Sequence, residues 1–170
     1  MPIASVSAYI RGLLDSLPMP SSLPPMRSYI TPPDPNTEAT IPTAYVWPSE
    51  IDESRDSKTG GTIPRNTGPG TPSGSKPLAH DIDVFIVYML PNDDPQADSL
   101  FPGIVDAAMA ALRTSADNAI ITDPWTGAQS QLFGVGEVMR GRIVVRAMAD
   151  QAFNRYDCLL SCPVRELIQA

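Results

Sequence analysis

This chain has few of the residue types on which most catalytic and metal sites depend. It contains 1 histidine and 2 cysteines among its 170 residues. Cys158 and Cys162 cannot pair with each other on a strand, which advances about 3.3 Å per residue, because a disulfide needs Cα atoms within about 7 Å. We therefore expect two buried thiols that act as small core side chains. A C-x-x-x-C spacing with a single histidine is also a poor zinc site, and we expect no metal.

The sequence also lacks a long apolar run and an excess of basic residues. Its apolar runs are about strand length, well short of the roughly 20 residues that span a membrane. The N-terminus has no basic segment followed by an apolar block, so we expect no secretion signal and a cytosolic protein. Subtracting 19 acidic from 12 basic residues gives a net charge of −7. This balance argues against a protein that binds nucleic acid through general phosphate neutralisation.

The amino acids that are present predict one folded domain over residues 1–170. At this length, a chain that is 42% hydrophobic can form a single domain with a substantial core. Residues 3–17 have the apolar spacing of an amphipathic helix, which Pro18 ends. Residues 98–113 have the same spacing, with Asp98 or Ser99 as the cap.

Alternating apolar residues predict a sheet around these two helices. The strongest pattern is His80–Leu90, which begins with polar residues on one face and becomes apolar on both, as a central strand does. The order of elements predicts an α+β fold, a mostly antiparallel sheet with two helices packed on one face. Further strands are predicted at Met26–Ile30, Ile41–Trp47 (stopped by Pro48), Leu132–Met139, Ile143–Ala149 and Tyr156–Val164, with Arg140-Gly141 as a hairpin turn.

Residues 52–77 interrupt this pattern with glycine, proline, serine, threonine and scattered charges. The stretch has one aliphatic residue, Ile63, and no aromatic residue. It cannot bury enough apolar surface to offset its ordering entropy, so we expect a long flexible loop. A compact domain rarely carries such an insert unless the insert works as a lid, a binding arm or an assembly loop.

No arrangement of titratable residues indicates an active site. His80 and Asp81 are adjacent on a predicted strand, so their side chains point to opposite faces. Nothing in the sequence supports a pair between His80 and Cys158. Gly134-Val135-Gly136 lacks the third glycine and the following helix of a phosphate-binding loop. We expect no catalytic residue and no cofactor, and we expect that the protein is not an enzyme.

Five residues are candidates for contacts with another subunit or partner. Trp125 is predicted at the tip of a turn, where an exposed tryptophan either meets a partner or folds back on its own turn. Arg55, Lys58, Arg65 and Lys76 alternate with acidic residues in the long loop. Two interpretations of that loop stay open: a solvated segment of mixed charge, or an arm that docks on an acidic neighbouring subunit.

Five features in order resemble the tail terminator (tail completion) proteins of long-tailed bacteriophages, grouped as the minor tail protein U family. The resemblance covers most of the chain and is one of architecture. Its features are the helix Ile3–Leu17, a proline-flanked segment ending in Tyr45-Val46-Trp47, the loop closed by Lys76–Val84, a helix over Phe101–Ala107, and a last strand ending in Val164-Arg165-Glu166.

The resemblance implies a structural virion protein. Such proteins form a ring, usually a hexamer, which caps the tail tube and presents a surface to the connector of the head. The implied partners are other copies of the chain, the tail tube protein and the head-tail connector or stopper. DNA would only pass through the lumen and no membrane is involved. The implied location is the tail or neck of a virion assembled in the bacterial cytoplasm, and no catalytic residue is carried over.

Other functions stay open beside this one. A head-tail connector or stopper at the neck belongs to the same class. A tail tube protein would show more β-sandwich patterning and fewer helices. A small cytosolic enzyme or ligand-binding module is the competing class, which a ligand-induced rise in melting temperature would reveal.

Overall fold

A computed structural model describes residues 3–21, 23–30, 39–52, 76–116, 119–124, 126–133, 135, 139–148 and 152–168. Helices and strands account for most of these residues. Their order along the chain is α1 Ile3–Asp15, β1 Arg27–Tyr29, β2 Thr43–Asp52, β3 Lys76–Pro91, α2 Ala97–Ala111, a short π-helix Leu112–Ala116, β4 Ile120–Thr122, β5 Gln129–Phe133, β6 Arg140–Ala147 and β7 Phe153–Ile168.

The strands form one sheet with β3 and β7 at its centre. These two 16-residue strands pair antiparallel along their whole length. On its other side β3 pairs with β2, which in turn carries β1 in parallel. The outer side of β7 is shared, because its first part pairs with β6 and its last residues pair with β5, which carries β4. The predicted α+β fold with a mostly antiparallel sheet is therefore confirmed.

Both helices pack on the same face of this sheet and bury the main core. In β3, alternate residues from Ile82 to Leu90 point to this face, and all are buried. From β7 the same face receives Cys158, Leu160 and Cys162. The helices contribute a set of fully or nearly fully buried residues: Val6, Ile10 and Leu14 from α1, and Phe101, Ile104, Val105 and Ala108 from α2. Both cysteines are buried and neither is in a disulfide, as predicted.

Hydrogen bonds fix the end of α1 and the start of α2. The carboxylate of Asp15 at the end of α1 accepts the backbone N–H of Ser28 at 2.8 Å, which ties β1 to the helix. The predicted cap of α2 is wrong: the N-cap is Gln96, and Asp98 and Ser99 lie inside the first turn. The carboxylate of Asp94 accepts a hydrogen bond from the backbone N–H of Gln96 at 2.8 Å, so a residue that precedes the helix fixes its first turn.

Several predicted strand boundaries are also wrong. Pro48 does not stop β2, which continues to Asp52 past a register shift. Proline is tolerated there because β1 pairs only as far as Tyr45, and because bulges and edges need no ladder hydrogen bond from it. Arg140-Gly141 is not a hairpin turn but the start of β6. The strand predicted at Leu132–Met139 lies earlier, over Gln129–Phe133.

The predicted loop over residues 52–77 is shorter at both ends than the sequence indicated. Asp52 ends β2, whereas Lys76 and Pro77 begin β3. Residues 53–75 lie outside the described residues. Neither helix of the described part of the chain is long and apolar enough to cross a membrane.

Candidate contact surface on the second face of the sheet

The face of the sheet that points away from the helices, here called the second face, carries a different kind of side chain. Successive residues of a strand point to opposite faces, so the residues of β3 and β7 that alternate with the core residues lie here. Asp83, Phe85 and Val87 of β3 stand opposite Ser161, Leu159 and Asp157 of β7, respectively. The second face is therefore a mixture of apolar, acidic and, towards β6, basic residues.

A small aromatic cluster occupies the β2 side of the second face. Tyr45 stacks on Tyr29 with ring centroids 5.6 Å apart, and it also meets Phe85 at 6.5 Å. Val87 is fully buried in this cluster, and Trp47 and Phe85 pack against it while partly exposed. This cluster is much smaller than the core under the helices.

Strand β6 is the most exposed element of the sheet. Within the described part of the chain it pairs with β7 along one side only, and seven of its eight residues are exposed. Ile143 and Val145 are 41% and 52% exposed, on the face that the helices cover elsewhere. An edge strand of this length presents unpaired backbone N–H and C=O groups, which another chain can use.

Arginines line the other side of β6. Arg140, Arg142 and Arg146 occupy alternate positions that all point to the second face. Arg146 is 63% exposed and lies 3.3 Å from the buried carboxylate of Asp157. No carboxylate of the described residues lies within ion-pair distance of Arg140 or Arg142. Since the whole chain carries a net charge of −7, this basic cluster is local.

Asp157 anchors the cluster from below. It is buried in β7, and its Oδ1 accepts a hydrogen bond from Nε of Arg155 at 2.7 Å, which is also buried. Within the described part of the chain its Oδ2 accepts no hydrogen bond, so its contact with Arg146 is one of charge alone. Two arginines share one carboxylate, which leaves the local charge positive.

These residues enclose a groove of about 520 Å³, here called the arginine groove. Its floor is apolar, formed by Trp47, Phe85 and Leu159, and Leu159 is 44% exposed. Its rim is formed by Arg140, Arg142 and Arg146 of β6. An apolar floor beside a basic rim suits a ligand or protein segment that presents an apolar group together with carboxylates.

Two acidic residues of β3, Asp81 and Asp83, lie on the second face. Burial raises the pKa of Asp83, a hydrogen bond from Ser49 works against this shift, and the charge of Asp81 adds to it. The environment of Asp83 therefore disfavours its ionised form. The second face is thus basic along β6 and carries two carboxylates on β3.

The structure describes one of the five residues predicted to make contacts. Arg55, Lys58, Arg65 and Trp125 lie outside the described residues. Lys76 is the first residue of β3 and stands opposite Ile168 of β7, away from the arginine groove. The N–H of Gly127 donates to the carbonyl of Asp123, four residues earlier, at 2.8 Å.

The structure places two residues that the sequence offered for catalytic chemistry, His80 and Cys158. His80, predicted as the first residue of its strand, is buried inside β3, between Ile51 and Val164. Burial raises the pKa of the Cys158 thiol to about 11, which makes it a poor nucleophile at neutral pH. In the described part of the chain, no group of three His, Cys, Asp or Glu residues is placed to hold a metal ion.

Comparisons with known proteins add no family to this description. A scan of protein-family models finds none that matches the chain, and a search of curated proteins finds no match either. The geometry of the second face therefore carries the functional interpretation.

Proposed function

We propose that this chain is a structural virion protein, a tail terminator whose copies form a ring that caps the tail tube of a long-tailed phage. The ring would join the tube to the connector of the head, and DNA would pass through its lumen. The site of action would be the tail or neck of a virion assembled in the bacterial cytoplasm. The resemblance in element order and the α+β fold support this proposal.

Strand β6 is the observation that carries the proposal. Folded proteins blunt or cover their strand edges, because an open edge pairs with other chains. Here no other described strand pairs with the outer side of these eight residues, which carry Ile143 and Val145 on one face and three arginines on the other. A mixed apolar and basic edge of this kind is typical of a surface that another subunit covers.

The charge distribution supports assembly from identical subunits. A net charge of −7 makes copies repel each other until specific contacts form. The basic cluster on β6 gives an acidic surface one place to dock. A contact between two different patches is heterologous, and it yields a ring when its rotation closes.

A concentration series tests the proposal directly. We expect the mass of the purified protein, measured by native mass spectrometry, to pass from monomer to one closed oligomer, most simply six copies. Electron microscopy should show rings that bind the ends of purified tail tubes. A protein that remains monomeric at every concentration and in the presence of tubes would contradict the proposal.

A ligand-binding module is the second candidate, and the arginine groove favours it. A groove of about 520 Å³ is within the range of small-molecule sites. Small anionic ligands would then raise the melting temperature by mass action. A screen of carboxylates and phosphates by thermal shift distinguishes the two candidates, because an assembly surface alone predicts no such rise.

A further inference from the structure

We propose that β6 binds an extended acidic segment of a partner protein, which adds to the sheet as a further strand. The segment would carry carboxylates at alternate positions on one face and apolar side chains on the other. The inference rests on the proposed function, because it states how a neighbouring protein would cover β6 in an assembled ring.

The backbone of β6 leaves hydrogen-bonding groups for such a strand. The N–H of Met148 donates to the carbonyl of Phe153 at 3.1 Å, and this pair continues the β6–β7 register by one step. In an antiparallel pair, hydrogen-bonded positions recur at every second residue. The even-numbered residues of β6 therefore direct their N–H and C=O groups towards β7. The groups that point outward, where no other described strand pairs with β6, belong to Gly141, Ile143, Val145 and Ala147.

The two faces of β6 determine which side chains the added strand must carry. Arg140 and Arg142 point to the second face, and no described carboxylate lies within ion-pair distance of either. Residues directly opposite each other in neighbouring strands interact, and opposite charges stabilise the pair. On the other face, Ile143 and Val145 are exposed and offer apolar contacts. A strand in which carboxylates alternate with apolar residues matches both faces at once.

Antiparallel pairing of β6 with β6 of a second copy fits less well. It would form one continuous sheet in which the arginines of both copies project from the same face. Like charges directly opposite each other destabilise a strand pair. An acidic segment forms the same backbone hydrogen bonds at the sheet edge and brings the opposite charge. Charge therefore favours an acidic segment over a second basic strand.

A synthetic peptide tests the site without any ring. The probe is an eight-residue peptide in which glutamate and valine alternate, and its matched control carries lysine in place of glutamate. Isothermal titration calorimetry measures their binding to the full chain. We expect the lysine peptide to bind about tenfold more weakly or worse, because it places like charges beside the arginines. Higher salt should weaken binding of the glutamate peptide, since the contact is charged.

Arg142→Glu tests the charged part of the contact. It should raise the dissociation constant of the glutamate peptide about tenfold or more, because like charges then stand opposite each other. Its matched control is Arg27→Glu on β1, which makes the same change on an exposed arginine of another strand. The control should change binding little.

Val145→Pro tests the backbone part of the contact. Proline removes an outward N–H while the hydrogen bonds between β6 and β7 stay, a position where edge strands tolerate it. We expect the glutamate peptide to lose at least about tenfold in affinity, as an added strand requires. Val145→Thr is the control, because threonine keeps the N–H and suits a strand. A thermal melt shows that both variants are folded.

Amide exchange, followed by NMR, locates the bound peptide. Added peptide should slow exchange of the outward N–H groups, which are those of Gly141, Ile143, Val145 and Ala147. The even-numbered amides of β6 already bond to β7 and should change little. This alternation is specific to a strand that adds to the edge, because a ligand seated in the arginine groove leaves the outward groups uncovered.

Other results would overturn the inference. If Val145→Pro binds the glutamate peptide as the wild type does, the peptide lies over the arginine groove and not along the strand edge. If the free protein forms dimers that protect the outward amides without peptide, a second copy covers β6. If the peptide fails to bind but rings form on tail tubes, the inference is wrong and the proposed function stands. A protein that binds the peptide but never assembles would contradict the proposed function alone.

Discussion

The two faces of the sheet are built from the same strands but differ in how completely their side chains are buried. On the helix-covered face, alternate residues of β3 and β7 meet α1 and α2 in one large buried core. On the second face, the same strands present a small aromatic cluster and then an exposed rim of arginines. One face is complete within the monomer, whereas the other leaves apolar and charged groups at its edge.

The main source of stability and the proposed surface for assembly therefore lie on different faces of the sheet. Burial of apolar side chains under the helices supplies the free energy that holds the fold. Strand β6 adds little to that core, since almost all of its residues are exposed. A substitution on the helix-covered face should therefore change stability, whereas one on the second face should change assembly.

The largest effect is expected from Ile86→Ala. Ile86 is fully buried in β3 under the helices, so truncation removes transfer free energy and leaves a cavity. We expect a loss of roughly 2–5 kcal/mol in the free energy of unfolding. Its matched control is Ile143→Ala on β6, which is 41% exposed and should cost less than about 1 kcal/mol. Urea denaturation compares them, and equal losses would mean that β6 belongs to the core.

An intermediate effect is expected from Gly141→Ala, which tests how closely β6 lies on β7. A Cβ at Gly141 would stand 2.5 Å from Cδ2 of Leu160, which is fully buried and has little room to move. We expect a loss of about 1–3 kcal/mol from this overpacking.

Gly103→Ala is the matched control for that substitution. Gly103 lies in α2 with no atom within 4 Å of an added Cβ. Alanine should therefore stabilise the helix by about 0.5–1 kcal/mol. The opposite signs are measurable by thermal denaturation, and a stabilising Gly141→Ala would show that β6 is not held against Leu160.

The smallest effect is expected from Asp83→Asn on the second face. Burial raises the pKa of Asp83, so the ionised carboxylate makes the folded state less favourable above that raised pKa. Removing the charge should stabilise the protein at pH 7, by less than about 1 kcal/mol. Below the ordinary pKa of 3.8 the carboxyl is protonated in both states, so the gain should disappear.

Asp93→Asn serves as the control for net charge, because it removes one carboxylate from an exposed turn. Denaturation midpoints at pH 3 and pH 7 compare the two variants. A destabilising Asp83→Asn at pH 7 would show that the carboxylate is favoured by a partner at this end of the second face.

The sequence predicted the helix-covered face well because its signals are local. Apolar spacing in α1 and α2 and strict alternation in β3 and β7 are set by the geometry of each element alone. Boundaries were less predictable, because Pro48, which has no backbone N–H, stops a strand only where a neighbouring strand needs that donor for pairing. That need depends on how far β1 extends, which is a tertiary fact.

The arginine groove could not be predicted in the same way. Trp47, Phe85 and Leu159 are far apart in the sequence, and only the strand register brings them together. One signal was present in the sequence. Arg140, Arg142 and Arg146 stand at even-numbered positions, whereas Ile143 and Val145 stand at odd-numbered positions, which is typical of a strand with one basic face. Interpreting Arg140-Gly141 as a turn concealed that pattern.

Hydrogen exchange of the β6 amides tests most directly the claim that the second face makes the subunit contact. The measurement compares the protein at a concentration where it is monomeric with the assembled ring. We expect that amides within Arg140–Ala147 become protected from exchange on assembly. The exchange rates of amides within Ile82–Leu90, which are already covered in the monomer, should change little. If the ring assembles and the β6 amides exchange as fast as they do in the monomer, the second face does not make the subunit contact.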